Sequence, residues 1–290
     1  ITIKEQIKHL EEKGVLFNLV NKVDAESFLT NNSYFYKLKS YSKNYDKRVD
    51  ETYINLEFAY LQELSTLDMH FRRFCLRLTL DLEHMLKTKL IRDFNLNNFC
   101  DGYKIVDDYL LLNESLKSEL VNFKPLGYNL AIWNFIEIIE FGKFINFCDY
   151  YYSIFPDELF NEIKSLLWSV KYLRNSSAHN NCLLHNLKPL EYSSFRRNIN
   201  TTKFLVKNIH MSKKNIEKKM QIPTLHDFII SLFVFKKLSN NLKFNRAFYK
   251  ELHNLINIRF SRNKNFFLKN NLLTSNYIFL RRIIIFLKKS

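Results

Sequence analysis

Glycine and proline are unusually scarce in this chain, which has 290 residues and only 4 of each. Folds with many tight turns, such as β-sandwiches and β-barrels, need these residues where the chain reverses, and nucleotide-binding folds need glycine-rich phosphate loops. The scarcity therefore argues against both classes and favours helices joined by few, short loops. The 27 phenylalanines and 16 tyrosines provide for a large core and argue against disorder over most of the chain.

Apolar residues recur every three or four positions along most of the sequence, a spacing typical of amphipathic helices. The longest such segment covers residues 52–93. Further helical segments are predicted at residues 3–13, 24–30 (with Asp24 as N-cap), 105–121, 130–152, 157–172, 174–184, 225–238, 244–259 and 272–288. A loop is expected at 123–127, and the polar, basic stretch 200–220 is interpreted as a linker. No convincing alternating strand pattern is present, so the predicted fold class is all-α, a helical bundle with a basic helical extension.

Positive charge is concentrated at the C-terminal end of the sequence. Lys and Arg total 44 against 29 Asp and Glu, a formal net charge of +15. Residues 201–290 hold 19 basic and 3 acidic side chains, whereas residues 1–200 are close to neutral. We therefore predict a helical domain at 1–200 and a basic helical subdomain at 201–290. The asymmetry indicates a polyanionic partner, either nucleic acid or an anionic membrane surface.

The sequence also predicts a cytoplasmic location. The four cysteines are far apart and form no Cys-x-x-Cys pair, so a disulfide framework is not expected. No signal peptide opens the sequence, and no run of about 18 uncharged apolar residues is present. The last helix, at 277–288, is too short and too charged to span a bilayer. It could lie on an anionic membrane, but burial of its apolar residues within the subdomain is the more ordinary outcome, and no stable membrane association is predicted.

Arg174 is followed five residues later by His179, the sharpest local feature of the sequence. Metal-independent cleavage of RNA needs a group that titrates near neutral pH to move a proton, and a fixed cation to hold the phosphate. On an ideal helix Arg174 and His179 point about 140° apart, whereas Asn175 and His179 share a face. Three arrangements would bring Arg174 and His179 to one site. The Arg174 side chain reaches around the helix, or the start of the helix is irregular, or two copies of the chain combine their residues across a two-fold axis. The spacing alone is a weak signal, since a solvated arginine and a capped or core histidine produce it too.

Four sequence blocks lie in order between about residues 25 and 190. They are residues 33–41 (SYFYKLKSY), 68–72 (DMHFR) with 81–87 (DLEHMLK), 133–144 (WNFIEIIEFGKF), and 173–180 (LRNSSAHN) followed by Asn186. Together they resemble the Abi family of bacterial abortive-infection proteins, of the AbiD/AbiF type, within the HEPN superfamily of helical ribonucleases. Lys37, Asn180 and the segment 182–184 depart from the family pattern, whereas Arg174 and His179 match it.

The resemblance implies an HEPN fold, a homodimer, and an anti-phage toxin that cleaves RNA without a metal or another cofactor. Attack of the 2′-oxygen on the adjacent phosphorus would leave a 2′,3′-cyclic phosphate and a 5′-hydroxyl. His179 would act as general acid or base, Arg174 would stabilise the phosphorane charge, and Asn175 would position the phosphate or His179. The resemblance also implies association with a non-coding RNA. The rival functions are a non-catalytic RNA-binding component of a ribonucleoprotein and a membrane-active toxin.

Two further sets of residues are candidates for contacts with RNA. One is the aromatic and basic patch at 33–41, which either stacks unpaired bases and contacts phosphates or forms a buried aromatic cluster. Its candidate residues are Tyr34, Tyr36, Tyr41, Lys37 and Lys39. The other set either contacts phosphates or forms a solvated face. It comprises Lys213, Lys214, Lys218, Lys219, Lys236, Lys237, Arg246, Arg259, Arg262, Arg281 and Arg282.

Two weaker patterns have ordinary structural explanations. Glu137 and Glu140 are spaced as a possible carboxylate pair, but a structural helix face that packs near the motif helix is the favoured explanation. His179, Cys182 and His185 have a spacing similar to that of metal ligands. A structural zinc site needs four ligands and no fourth is evident nearby, so no metal site is predicted.

Overall fold

The computed structural model describes residues 1–97, 101–121 and 130–289. Helices account for nearly all regular structure in this part of the chain, which confirms the predicted all-α fold class. The helices are α1 (Ile3–Glu12), α2 (Lys22–Asn31), α3 (Phe35–Ser40), α4 (Phe58–Leu96), α5 (Lys104–Leu111), α6 (Glu114–Val121), α7 (Ile132–Ile138), α8 (Phe141–Ile154), α9 (Glu158–Ile163), α10 (Leu167–Ala178), α11 (Ile199–Asn208), α12 (Lys213–Met220), α13 (Pro223–Leu238), α14 (Leu242–His253) and α15 (Asn271–Lys289). Two short strands, β1 (Val15–Leu16) and β2 (Leu56–Glu57), pair in parallel. Two residues per strand are too few to show an alternating pattern in the sequence.

The burial pattern of α4 explains why the longest predicted helix is continuous. Leu78, Leu82, Leu86 and Leu90 are all buried, about one helical turn apart. This spacing keeps the four side chains on one face, where burying each leucine contributes about 1.5–3 kcal/mol. The helix begins at Phe58 rather than near residue 52, because β2 precedes it directly.

The first two helices begin with side-chain caps. Thr2 and Glu5 form a capping box at the start of α1, in which each side chain bonds the other residue's backbone N–H. The N-cap of α2 is Asn21, whose Oδ1 accepts a hydrogen bond from the Asp24 N–H at 2.8 Å. The prediction that Asp24 is the N-cap is therefore wrong. Asn and Asp are similarly good caps, so the sequence alone does not choose between positions 21 and 24.

Two long predicted helices are each divided in the structure. Residues 105–121 form α5 and α6 rather than one helix. Residues 130–152 form α7 and α8, which are separated where Ile139 and Glu140 take extended backbone angles. The apolar pattern continues across both breaks, so the sequence does not reveal them.

The segment interpreted as a linker is folded. Helices α11 and α12 occupy most of residues 200–220 and bury Leu205, Ile216 and Met220. The linker prediction is therefore wrong, because a few apolar positions at helical spacing suffice to anchor an otherwise polar helix. The predicted loop at 123–127 lies outside the described residues.

The helices predicted in the C-terminal part are confirmed as α13, α14 and α15, with a π-helical turn at Asn254–Arg259 after α14. Phe279, Ile283 and Leu287 of α15 are buried, so the apolar face of the last helix packs against protein. Among the described helices, none is both long and apolar enough to cross a membrane.

The chain forms two compact units. The first contains residues 1–77, 173–230 and 241–290, and the second contains residues 78–172 and 231–240. Most of the basic C-terminal part therefore belongs to the same unit as the N-terminal helices. The division at residue 200 between a family domain and an extension stays a prediction.

Each unit has an aromatic core. In the first unit, the Phe71 and Phe228 rings meet edge to face with centroids 4.8 Å apart. In the second unit, Phe147 contacts both Phe135 and Tyr109 in the same manner, at 4.9 and 5.1 Å. Such pairs add about 0.5–1.5 kcal/mol beyond the burial of their surface.

Candidate active site and nucleic-acid interface

Arg174, Asn175 and His179 lie at the C-terminal end of α10, in the first unit. The helix ends in a Schellman motif, in which the Asn181 N–H bonds the Ser176 carbonyl at 3.0 Å and the Asn180 N–H bonds the Ser177 carbonyl at 3.3 Å. Asn180 has a φ of +59°, the left-handed conformation that asparagine tolerates better than most residues. The chain therefore turns away directly after His179, whose side chain is exposed to solvent.

The three motif residues do not share one stripe of the helix. The His179 N–H bonds the Asn175 carbonyl at 2.9 Å, so the helical hydrogen-bond pattern reaches His179. Arg174 is half-buried, and its Nη1 lies 3.4 Å from Asn175 Oδ1. The Asn175 side chain thus contacts Arg174, which leaves the expected contact with His179 or a phosphate as a prediction.

The segment that follows His179 is fixed by a buried carboxylate. Asp68 of α4 is fully buried, and its Oδ1 accepts a hydrogen bond from the Leu184 N–H at 2.6 Å. Its Oδ2 accepts another from Arg72 at 2.6 Å, and Arg72 also reaches the Asn181 carbonyl at 3.4 Å. Burial raises the pKa of Asp68, while the Leu184 N–H and Arg72 oppose that rise.

Two residues near α3 hold the same segment from another side. Lys37 Nζ donates to the Asn180 carbonyl at 3.2 Å. The Asn44 side chain donates to the Leu184 carbonyl and accepts from the Leu187 N–H, both at 2.8 Å. We call Lys37, Asn44, Asp68 and Arg72 the motif brace.

The motif brace explains why distant sequence blocks belong together. The blocks at 33–41 and 68–72 supply Lys37, Asp68 and Arg72, which bond the backbone at the last residue of the block at 173–180 and directly after it. Asn44 was missed by the sequence analysis, because it lies outside the blocks and no spacing marks it. Through the motif brace, these blocks fix the end of the helix that carries His179.

The aromatic and basic patch at 33–41 divides into an exposed and a buried half. Tyr34 and Tyr36 are 65% and 71% exposed, so both rings are available for stacking. Tyr41 is completely buried, which contradicts its candidacy for base stacking. Burial and the nearby Asp68 carboxylate raise the pKa of Tyr41.

Lys39 has a local partner rather than a free ammonium group. Its Nζ lies 2.8 Å from His9 Nε2 and 5.5 Å from the centre of the Phe35 ring. Because an ammonium only donates, His9 must be neutral in this contact. Burial and the neighbouring Lys39 lower the pKa of His9, and burial together with Lys13 lowers the pKa of Lys39.

Several of the C-terminal cations predicted to contact phosphates are held by other parts of the protein. Arg259 donates two hydrogen bonds to the Glu63 carboxylate, at 2.6 and 3.2 Å. Lys219 donates to Ser275 at 2.6 Å, and burial lowers its pKa to about 8. Lys237, Arg281 and Arg282 contact Glu162, Asn257 and the His210 carbonyl, respectively. Lys213, Lys214, Lys218, Lys236, Arg246 and Arg262 are exposed. Contact of either group with RNA stays a prediction.

A basic groove lies along α14 and α15 in the first unit. It comprises two adjoining hollows of about 460 Å³ each, which share His253 and Lys288. The basic residues that line it are Arg246, Lys250, His253, Arg281 and Lys288. We call it the α14–α15 groove. Only Arg246 and Arg281 were predicted from the sequence, although the spacing of residues 246, 250 and 253 along one helix face was a usable signal.

The weaker sequence patterns acquire structural explanations. In the second unit, Glu137 lies 3.2 Å from Lys87 in an ion pair. In the first unit, His185 Nδ1 lies 2.5 Å from the Cys182 carbonyl oxygen. No group of three His, Cys, Asp or Glu side chains is placed to hold a metal ion within residues 1–97, 101–121 and 130–289.

The fold and the site together define an all-α protein in which an Arg-x4-His motif ends a braced helix. The family model described as "Abi-like protein" matches residues 27–185. The chain therefore belongs to the Abi-like protein family, which confirms the resemblance to the Abi family and associates the protein with abortive infection in phage defence. The matched range contains the motif and the whole motif brace. Comparison with curated proteins and with solved structures found no match.

Proposed function

We propose that this protein is a metal-independent endoribonuclease of the AbiD/AbiF type, with an HEPN fold, that acts in abortive infection. The observation that carries the proposal is the placement of His179, exposed at the end of α10 while the backbone that follows it is held by the motif brace. A general acid or base must be accessible to substrate and also fixed in position, and this arrangement meets both requirements.

In the proposed reaction, the ribose 2′-oxygen forms a bond to the adjacent phosphorus and the bond from phosphorus to the 5′-oxygen breaks. His179 moves one of the two protons, taking it from the 2′-hydroxyl or giving it to the leaving 5′-oxygen, and water or the second His179 of the proposed homodimer moves the other. Arg174 lies one turn earlier on α10, where its guanidinium would stabilise the extra charge on the phosphorane. The Asn175 side chain, which contacts Arg174 at 3.4 Å, would keep that guanidinium in place. The products are a 2′,3′-cyclic phosphate and a 5′-hydroxyl.

RNA would bind through the α14–α15 groove and the exposed tyrosines. The groove gathers Arg246, Lys250 and Arg281 on two helices, and adjacent cations of this kind track a phosphate backbone. Tyr34 directly precedes α3 and Tyr36 lies in its first turn, and the same helix supplies Lys37 of the motif brace. Bases stacked on these rings would therefore lie close to the segment that follows His179.

The proposal includes a cognate non-coding RNA as a restraining or guiding partner, a cytoplasmic location and a homodimer. A two-fold arrangement would bring two copies of Arg174 and His179 together. It would resolve the difficulty that these two residues point about 140° apart on an ideal helix.

The test is to purify the protein from its host with the neighbouring locus expressed, and to sequence the RNA that co-purifies. The same RNA and total cellular RNA are then mapped for 5′-hydroxyl ends in the wild type, His179→Ala and His210→Ala. His210 is an exposed histidine outside the motif, so it is a matched control. The proposal predicts a discrete bound RNA in all three samples and new 5′-hydroxyl ends that only His179→Ala abolishes. A discrete RNA with the same ends in all three would indicate a non-catalytic ribonucleoprotein component instead.

A further inference from the structure

A cavity that shares no lining residue with the α14–α15 groove lies inside the first unit. Its volume is about 440 Å³, within the range of 300–1,000 Å³ found for small-molecule sites. Leu64, Leu67 and Phe71 of α4 form one wall, and each of these side chains is buried. Lys264 lines the cavity and is exposed to solvent, so the cavity opens beside it.

One residue that lines this mainly apolar cavity has a polar atom without a partner. Asn276 of α15 is 2% exposed and lines the cavity. Its Nδ2 donates to the Leu187 carbonyl at 3.0 Å, whereas its Oδ1 is buried with no hydrogen-bond partner. The reverse amide orientation would place two acceptors against each other, so the side chain is held with Oδ1 unsatisfied. Leaving a buried acceptor unpaired is costly, and such groups call for an explanation.

We propose that this cavity binds a medium-chain amphiphile whose uncharged head donates a hydrogen bond to Asn276 Oδ1, such as a fatty alcohol. A water molecule would be a poor occupant, because a buried water usually needs two to four polar partners and the surroundings here are mainly apolar. A carboxylate head is disfavoured beside Asn276 Oδ1, because its oxygens and Oδ1 are all hydrogen-bond acceptors. The volume is about three times that of a cavity that holds benzene, which is room for a chain of about ten carbons.

Occupancy of the cavity bears on the segment that follows His179. Leu184 and Leu187 line the cavity, and their N–H groups donate to Asp68 and Asn44 of the motif brace. A ligand that packs against these two leucines therefore stabilises the same backbone that the brace holds.

The test compares 1-decanol with 1-methoxynonane, an ether with the same number of non-hydrogen atoms but no donor. Calorimetry on the full chain should show one site, with 1-decanol bound about 5-fold more tightly than 1-methoxynonane. This ratio corresponds to the net contribution of one hydrogen bond. Asn276→Leu should reduce that ratio to about one. Leu273→Phe fills part of the cavity from a buried lining position and should weaken both ligands by about 10-fold or more.

Hydrogen exchange locates the ligand independently of these variants. Bound 1-decanol should slow exchange of the Leu184 and Leu187 amides several-fold. Absence of 1-decanol binding, equal affinity of the wild type for both compounds, unchanged affinity in Leu273→Phe, or slowed exchange confined to other amides would each overturn the proposal.

Discussion

At the scale of single residues, the site depends on a carboxylate that is expensive to bury. Asp68 has left water completely, and two hydrogen bonds of 2.6 Å, from Leu184 and Arg72, offset that cost. Its position three residues before the buried Phe71 would suggest an ordinary helix residue, and only the structure shows its role.

We predict that Asp68→Ala lowers the free energy of unfolding by about 3 kcal/mol, because it leaves the Leu184 N–H and the Arg72 guanidinium without the carboxylate that they bond. Asp68→Asn should cost roughly 1 kcal/mol, since its Oδ1 still accepts from Leu184. Urea unfolding followed by circular dichroism measures both values. Equal losses in the two variants would show that the acceptor for Leu184 is unimportant.

The stability of the protein should also depend on pH through His9. The pKa of His9 is lowered by burial and by Lys39, so the unfolded chain binds more protons at this site than the folded protein. Stability should therefore fall as the pH drops from about 6.5, the ordinary histidine value, toward the lowered pKa of His9. His70, whose pKa is also lowered by burial, acts in the same direction.

Denaturation at pH 7.0 and pH 5.5 tests this with His9→Gln, which keeps an acceptor for Lys39 but does not titrate. The loss of stability between the two pH values should be smaller in His9→Gln than in the wild type. An identical loss in both proteins would contradict the assignment.

At the scale of elements, the end of α10 determines where His179 points. Asn180 takes a left-handed conformation that costs about 1–2 kcal/mol for an ordinary residue and more for a β-branched one. We predict that Asn180→Val destabilises the protein by about that amount and lowers the proposed ribonuclease activity, whereas Asn180→Gly keeps the wild-type stability and activity. Thermal unfolding and cleavage assays on the pair provide the check, and a Val variant as active and stable as the Gly variant would contradict it.

Local sequence predicts the helices better than it predicts how they end and what they contact. The periodic stripe at 52–93 and the C-terminal helices are visible because burial imposes a period of 3.6 residues. The breaks near 112 and 139 are hidden, since the apolar pattern runs through them. Within the site, the Arg174 and His179 pair is readable from spacing and resemblance. The bonds from Asn44 to Leu184 and Leu187 join residues 140 or more positions apart, and no local pattern encodes such contacts.

For the whole protein, the arrangement of the basic side chains says more about where a polyanion could bind than the net charge does. The formal charge of +15 includes arginines and lysines that are committed to internal partners, such as Arg259 with Glu63. The α14–α15 groove instead collects cations that line open hollows. We therefore expect the groove to dominate the salt dependence of the proposed RNA binding.

The slope of log K, where K is the association constant for RNA, against log salt concentration is negative. The double variant Arg246→Gln/Lys250→Gln should make this slope less steep by about 1.4, or about 0.7 for each lost contact with single-stranded RNA. The matched control is Lys4→Gln/Lys8→Gln, which removes two exposed lysines of α1. Filter binding at several salt concentrations measures the slopes. If the control pair makes the slope less steep by as much as the groove pair does, the groove has no special role.

Cleavage of purified host RNA by purified protein in the presence of EDTA tests directly whether His179 moves a proton in a metal-independent reaction. We predict 5′-hydroxyl and 2′,3′-cyclic phosphate ends in the wild type and in His210→Ala, with at least a 100-fold loss of rate in His179→Ala, in the range of general acid–base catalysis. Cleavage that persists in His179→Ala, or that EDTA abolishes in the wild type, would contradict the assignment of His179 as the group that moves the proton.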